Sequence, residues 1–217
     1  MLYVSVTFFD LNCIKVNDII YNNLEREYKM IDDIVLEDKT DIDLYKEFIN
    51  GNKDAFNEIV NRYRDILILF ILRYVKNLEI AEDLAQDTFV YVLINKKEYD
   101  FKYSLKTYLF TIAKCRSINY IKKQKKNVQF SDINLEDLNS ISIDESLIRQ
   151  ENREIILNAM TKIKDEYQVL IYLRDIQGFN YKEICKILDK TMAQVKISIY
   201  RARKSLEKII RKEGEIC

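Results

Sequence analysis

Three features of the chain predict an all-α fold. Proline is absent and glycine occurs only three times in 217 residues, so little interrupts a helix. Apolar residues recur at i, i+3, i+4 and i+7 over long stretches, the period of a helix with one buried face. The 48% hydrophobic content is enough for one large domain or two small ones.

Residues 1 to 40 are acidic and weakly periodic, and a poorly ordered extension is expected there. Glu25-Arg26-Glu27 lies just upstream of Met30, and its codons can spell a purine-rich ribosome-binding sequence. Met30 is therefore one expected initiator, with residues 1–29 untranslated; a genuine disordered or regulatory extension is the alternative. Helical pattern begins near Asp43. From Lys53 the set Phe56, Ile59, Val60, Tyr63, Leu67, Phe70, Ile71 and Tyr74 predicts a long core helix, with Asn52 or Asp54 as its N-cap and Asn77 as its break. A second helix is expected over about Glu79 to Ile94, with Ala81, Leu84, Ala85, Phe89 and Val92 inward. Its outer stripe is Glu79, Glu82, Asp83, Gln86 and Asp87, and no Lys or Arg stands between Asn77 and Asn95. The helix macrodipole accounts for acids in the first turns, less well for Asp87.

A loop over about Glu98 to Ser104 leads to a third helix ending near Lys126, with Leu105, Tyr108, Leu109 and Ile112 inward. Lys102, Tyr103, Lys106, Lys114, Arg116, Tyr120, Lys122 and Lys123 interleave cations with rings. Cations hold phosphates, and rings stack on bases that have left the duplex. Residues 127 to 147 are polar, acidic and weakly periodic, as a flexible linker would be. Helices are expected again over about 148–161, 165–177, 181–188 and 191–212, with Gly178 closing the second of these. Between the last two, Asp189-Lys190-Thr191 forms a short turn. Val195 and Ile199 face in while Lys196, Arg201, Arg203 and Lys204 face out, and Thr191 can cap the helix. This is the pattern of a helix-turn-helix with a DNA-reading second helix.

The charge is zero overall, with 35 basic and 35 acidic residues, but it is segregated. Residues 101–131 carry eight Lys or Arg and no acid; residues 190–212 carry eight and one acid, Glu207. Two basic blocks on a neutral chain point to two nucleic-acid contacts and an acidic surface for another partner. Histidine is absent and Cys13, Cys115, Cys185 and Cys217 stand alone. That disfavours zinc sites and Ser-His or Cys-His catalysis, and no Gly-rich phosphate loop is present. No metal, no cofactor and no enzymatic activity are expected. Isolated cysteines suit a reducing cytosol, and no apolar run is long enough to insert in a membrane.

Several motifs, in order, resemble the extracytoplasmic-function class of bacterial sigma factors. They are Phe48-Ile49-Asn50-Gly51-Asn52-Lys53-Asp54-Ala55-Phe56, Ala81 to Phe89 (AEDLAQDTF), Ser104 to Lys114 (SLKTYLFTIAK), and Gly178 to Ile184 (GFNYKEI) through Arg201-Ala202-Arg203. The resemblance implies two small helical domains. A region-two-like bundle would span 41–126. A linker at 127–147 would join it to a region-four-like helix-turn-helix domain at 148–213. It implies core RNA polymerase and promoter DNA as partners, with an anti-sigma factor as a further one. Glu82, Asp83, Gln86 and Asp87 would dock on the clamp coiled coil of the polymerase. Tyr99, Lys102, Tyr103, Ser104, Lys106, Lys114, Arg116, Lys122 and Lys123 would handle the minus-ten element, with the loop capturing a flipped base. Thr191, Gln194, Lys196, Tyr200, Arg201, Arg203 and Lys204 would meet the minus-thirty-five element. The chain departs from the family pattern at Tyr108 (usually tryptophan), Cys115 (asparagine), Lys164 (proline), Asp189 (glycine) and Ser198 (arginine). A two-domain DNA-binding regulator acting without polymerase is the alternative, and the acidic helix face is what separates the two.

Overall fold

A computed structural model describes residues 39–127 and 158–214. The expectations for residues 1–38, for the linker and for the start of the helix at 148 lie outside the described residues. Every regular element among the described residues is helical.

The side chains that begin each helix explain the boundaries. Helix α1 (Asp41–Ile49) starts where Thr40 accepts the Asp43 N–H. Helix α2 (Lys53–Val75) starts at Asn52, whose side chain accepts from Asp54 and Ala55. It ends at Lys76, which takes a left-handed conformation at φ 55°. Asn77 then opens α3 (Leu78–Ile94) by accepting the Ile80 N–H at 3.0 Å. Ser104 does the same for α4 (Leu105–Asn127), accepting the Thr107 N–H at 3.2 Å. Each cap satisfies donors that a helix start leaves open.

In the second half, residues 158–162 are helical. Helix α5 (Asp165–Ile171) follows Lys164, whose φ of −57° is the angle that a proline ring would impose. The sequence predicts one continuous α-helix over 165–177; instead the chain widens into a π-helical turn at Tyr172–Ile176. The Gln177 N–H reaches back five residues to the Tyr172 carbonyl at 2.8 Å. The wider turn puts Tyr172, Leu173 and Asp175 all inside. Gly178 follows at φ +72°, the freedom that only glycine has at low cost. Helix α6 (Tyr181–Leu188) opens with a reciprocal capping box between Asn180 and Glu183. It closes on Asp189 in the left-handed region, φ 55°. Helix α7 is Met192–Gly214.

Helix α2 is the centre of the first half, with α1, α3 and α4 packed around it. Ile59, Leu67, Phe70, Ile71, Leu105, Leu109 and Phe110 are fully buried there. In the second half Ala159, Ile163, Ile171, Ala202 and Leu206 form a smaller cluster. The two halves share apolar packing. Phe110 of α4 meets Phe70 at 4.8 Å between ring centroids on one side and Phe179 at 4.9 Å on the other. The Tyr172 hydroxyl donates to the Ile66 carbonyl at 2.7 Å, and the Arg73 guanidinium lies 3.8 Å over the Tyr172 ring.

Candidate nucleic-acid and partner interfaces

Helix α3 presents the expected acidic stripe. Asp83, Gln86 and Asp87 are exposed, while Glu82 is half-buried. Two acids have partners within the chain: Arg64 lies 3.7 Å from Glu82, and Arg116 of α4 lies 3.7 Å from Asp87. The stripe continues further than charge alone indicated. Val90, Leu93 and Ile94 follow at helical spacing from Asp83, Gln86 and Asp87, and they are 50%, 49% and 74% exposed. An acidic patch thus runs into an apolar one on a single helix face. Their residue types look like core in a sequence; only the register relative to Phe89 and Val92, which are buried, could have placed them outside.

A pocket of about 600 Å³ opens where the loop before α4 folds back on that helix. Tyr91, Tyr99, Tyr103 and Tyr108 line it, with Glu98 and Arg116. The Tyr91 hydroxyl donates to Glu98 at 2.5 Å. Arg116 stands 5.2 Å over the Tyr91 ring. Tyr99, expected at the minus-ten element, is only 4% exposed. Its hydroxyl donates to the Tyr103 carbonyl at 2.7 Å, and its ring stacks on Tyr108 at 5.1 Å. Tyr99 therefore builds the pocket wall. Burial pushes both phenols up to about 12. The buried Tyr108 hydroxyl and Arg116 Nε have no hydrogen-bond partner among the described residues.

The remaining cations of α4 and of the loop before it divide into two sets. Lys122 and Lys123 are exposed and Lys114 is half-buried. Lys102 is exposed, with its ammonium 6.0 Å from the Tyr103 ring. Lys106, by contrast, donates to the Gln177 carbonyl at 3.0 Å and lies 5.1 Å over the Phe179 ring. Desolvation there lowers its pKa, more than nearby Glu183 raises it. Ser104 and Thr107 both donate to Glu183 Oε1, at 3.2 and 3.1 Å. The start of α4 is thus occupied by the second half of the chain.

On α7, Val195, Ile199 and Ala202 are buried, and Lys196, Tyr200, Arg201 and Lys204 are exposed. Lys196 lies 5.9 Å over Tyr181. Thr191 caps the helix as expected, and Gln194 completes the cap: its Oε1 accepts the Thr191 N–H at 2.9 Å. The carbonyl end of Gln194 is therefore engaged in the cap. Arg203 departs from the expected outward position. It is half-buried and pairs with the buried carboxylate of Asp175, Nε to Oδ2 3.2 Å. Ile197, absent from the expected reading residues, is 51% exposed beside Tyr200 at 56%. An isoleucine in a helical pattern is taken for core; its place one residue after Lys196, opposite Val195 and Ile199, was the available signal.

Among the described residues no three Cys, Asp or Glu side chains gather where a metal could sit, and no helix is long and apolar enough to cross a membrane.

Residues 59–127 match the Sigma-70 region 2 family model, and residues 153–206 match the model for Sigma-70, region 4. The chain is 32% identical over 168 residues to RNA polymerase sigma factor YlaC of Bacillus subtilis (strain 168). That match covers 76% of this chain and 96% of the relative. It is 30% identical to the ECF RNA polymerase sigma factor SigM of the same organism, over 70% of this chain and 93% of the relative. Among solved structures, the sigma factor RpoE in complex with the anti-sigma factor NepR from Bartonella quintana is similar in fold. Its TM-score is 0.61 at 23% identity, over 72% of this chain and 96% of that one.

Proposed function

We propose, for a chain that belongs to the extracytoplasmic-function family of RNA polymerase sigma factors, a division of its surfaces among polymerase, separated strand and duplex. The protein binds core RNA polymerase and directs it to promoters. The α3 face from Asp83 to Ile94 docks on the polymerase; its acids steer and its apolar end is desolvated. The tyrosine-lined pocket takes a base flipped out of the minus-ten element. Lys102, Lys114, Lys122 and Lys123 hold the separated strand's phosphates. On α7, Lys196, Ile197, Tyr200 and Arg201 meet base edges, with Lys204 on phosphate. Arg203, tied to Asp175, holds α7 against the π-helical turn instead.

The observation that carries this reading is the α3 face. A regulator acting on DNA alone does not need an exposed stripe that is acidic at one end and apolar at the other. Co-purification tests it. Core polymerase is expected to be retained by the wild-type chain and lost by Asp83→Lys/Asp87→Lys; retention by both would remove the main support. One structural neighbour is a sigma factor in complex with an anti-sigma factor, and a protein of that kind is the further partner we assign.

A further inference from the structure

We propose that Tyr108 and Arg116 determine which base the tyrosine-lined pocket accepts, selecting one with two neighbouring hydrogen-bond acceptors: guanine or cytosine, against adenine or thymine. This rests on the assignment of that pocket to a flipped base of the minus-ten strand.

Two buried polar atoms carry the inference. The Tyr108 hydroxyl and Arg116 Nε have no hydrogen-bond partner among the described residues, and both residues line the same pocket of about 600 Å³. A buried donor without an acceptor costs the fold free energy, and an occupant that supplies the acceptor gains it as affinity. Neighbouring polar groups are already engaged. The Tyr99 hydroxyl donates to the Tyr103 carbonyl at 2.7 Å, and the Tyr91 hydroxyl donates to Glu98 at 2.5 Å. Asp100 accepts the Lys102 N–H at 3.0 Å.

Both reading groups are held in place before a base enters. The Arg116 guanidinium lies 5.2 Å over the Tyr91 ring and reaches Asp87 at 3.7 Å through one terminal nitrogen, which leaves Nε for the occupant. The Tyr108 ring stacks on Tyr99 at 5.1 Å. Burial pushes its phenol up to about 12, so it keeps its proton and can donate. Tyr108 also departs from the tryptophan of the family pattern, so its hydroxyl is not a group that the pattern supplies.

The chemistry of the bases then decides. Arg116 Nε can only donate, and a phenol satisfies its own proton only by donating. Two donors on one wall need two acceptors side by side. Guanine offers O6 and N7, and cytosine offers N3 and O2. In adenine the N1 and N7 acceptors each stand beside the N6 amino donor, and in thymine the two carbonyls flank an N–H. A phenol oxygen that accepts from such a donor still leaves its own proton buried without an acceptor.

The test uses holoenzyme made from core polymerase and the full chain. Its probes are single strands carrying the minus-ten region of a genomic fragment that yields a run-off transcript. A photoreactive base analogue placed at each position in turn identifies the captured base by its cross-link to pocket residues. With all four bases compared at that position, guanine or cytosine should bind about tenfold more tightly than adenine and thymine. Exchanging the favoured base for 7-deazaguanine or 3-deazacytosine deletes one acceptor and should cost the wild type about tenfold. Tyr108→Phe and Arg116→Lys should each bind the four bases within about threefold of one another. A merely structural role would weaken all four together and leave their ratios unchanged. Preference for adenine or thymine, equal binding of all four by the wild type, no loss with the deaza analogue, or wild-type ratios in both variants would each overturn the proposal while base capture stands. If no position cross-links to the pocket, the assignment of the pocket fails, and the proposal with it.

Discussion

Asp83 and Asp87 lie on one face of α3 but differ in what they touch. Asp87 has Arg116 at 3.7 Å, whereas Asp83 is exposed and has no such partner among the described residues. Reversing Asp83 alone should therefore act on polymerase binding only, while reversing Asp87 also loosens α3 from α4. Removing one member of a desolvated charge pair costs about 2–5 kcal/mol, so titration of core polymerase should show Asp83→Lys weakened by at least thirtyfold. Thermal melting should be unchanged for it and slightly lowered for Asp87→Lys. On α7, Ile197 is an apolar group among cations, suited to a thymine methyl. Ile197→Ala should lose a thymine preference at one minus-thirty-five position. Replacing that thymine by deoxyuridine should cost the wild type about fourfold in affinity, the worth of one buried methyl, and the variant nothing. Arg201→Ala should relax one position by about 1–3 kcal/mol, whereas Lys204→Ala should weaken all duplexes alike. Selection from a randomised duplex pool separates these outcomes.

At the scale of elements, some caps were legible and the long-range pairings were not. Asn52 and Thr191 act over two or three residues and were legible as caps; Asn77 was legible only as a break, and the equally local Asn180–Glu183 box went unread. Asn180→Ala removes half of that box, and denaturant titration should show a loss of about 1 kcal/mol. The π-helical turn at Tyr172–Ile176 was not legible. It is set by Tyr172 reaching the Ile66 carbonyl, 106 positions away, and no glycine or proline marks it. Likewise Lys106 and Arg203 look like phosphate ligands in sequence. The structure gives them Gln177 and Asp175 instead, because charge composition does not disclose which cation meets a buried acceptor. The acidic half of the α3 face was visible as a stripe of acids with no Lys or Arg among them. Its apolar half was hidden because Val90, Leu93 and Ile94 have the residue types of a core.

At the scale of the whole molecule, the shared packing of Phe70, Phe110, Phe179 and Tyr172 joins the two halves. Calorimetry of the free chain should show one transition for the described regions. Phe110→Ala should lower it as a whole, by about 3–5 kcal/mol. Burial raises the phenols of Tyr45, Tyr63, Tyr74, Tyr99 and Tyr108 above 10. The folded state thus keeps protons that the unfolded chain releases, and stability holds up to about pH 10 and falls as pH rises through 12. Burial shifts Lys106 and Arg73 the opposite way, but they are two groups against these five. Ultraviolet titration at alkaline pH should show the last tyrosinates appearing together with the loss of helical circular dichroism; complete ionisation well before helix loss would contradict the burial of these rings. The central claim is that this chain gives core polymerase its promoter choice, and run-off transcription tests it most directly. Purified core enzyme plus the wild-type chain should yield transcripts from a few defined starts on genomic fragments, and none with Asp83→Lys/Asp87→Lys. Equal transcription with and without the chain, or with the double variant, would contradict it.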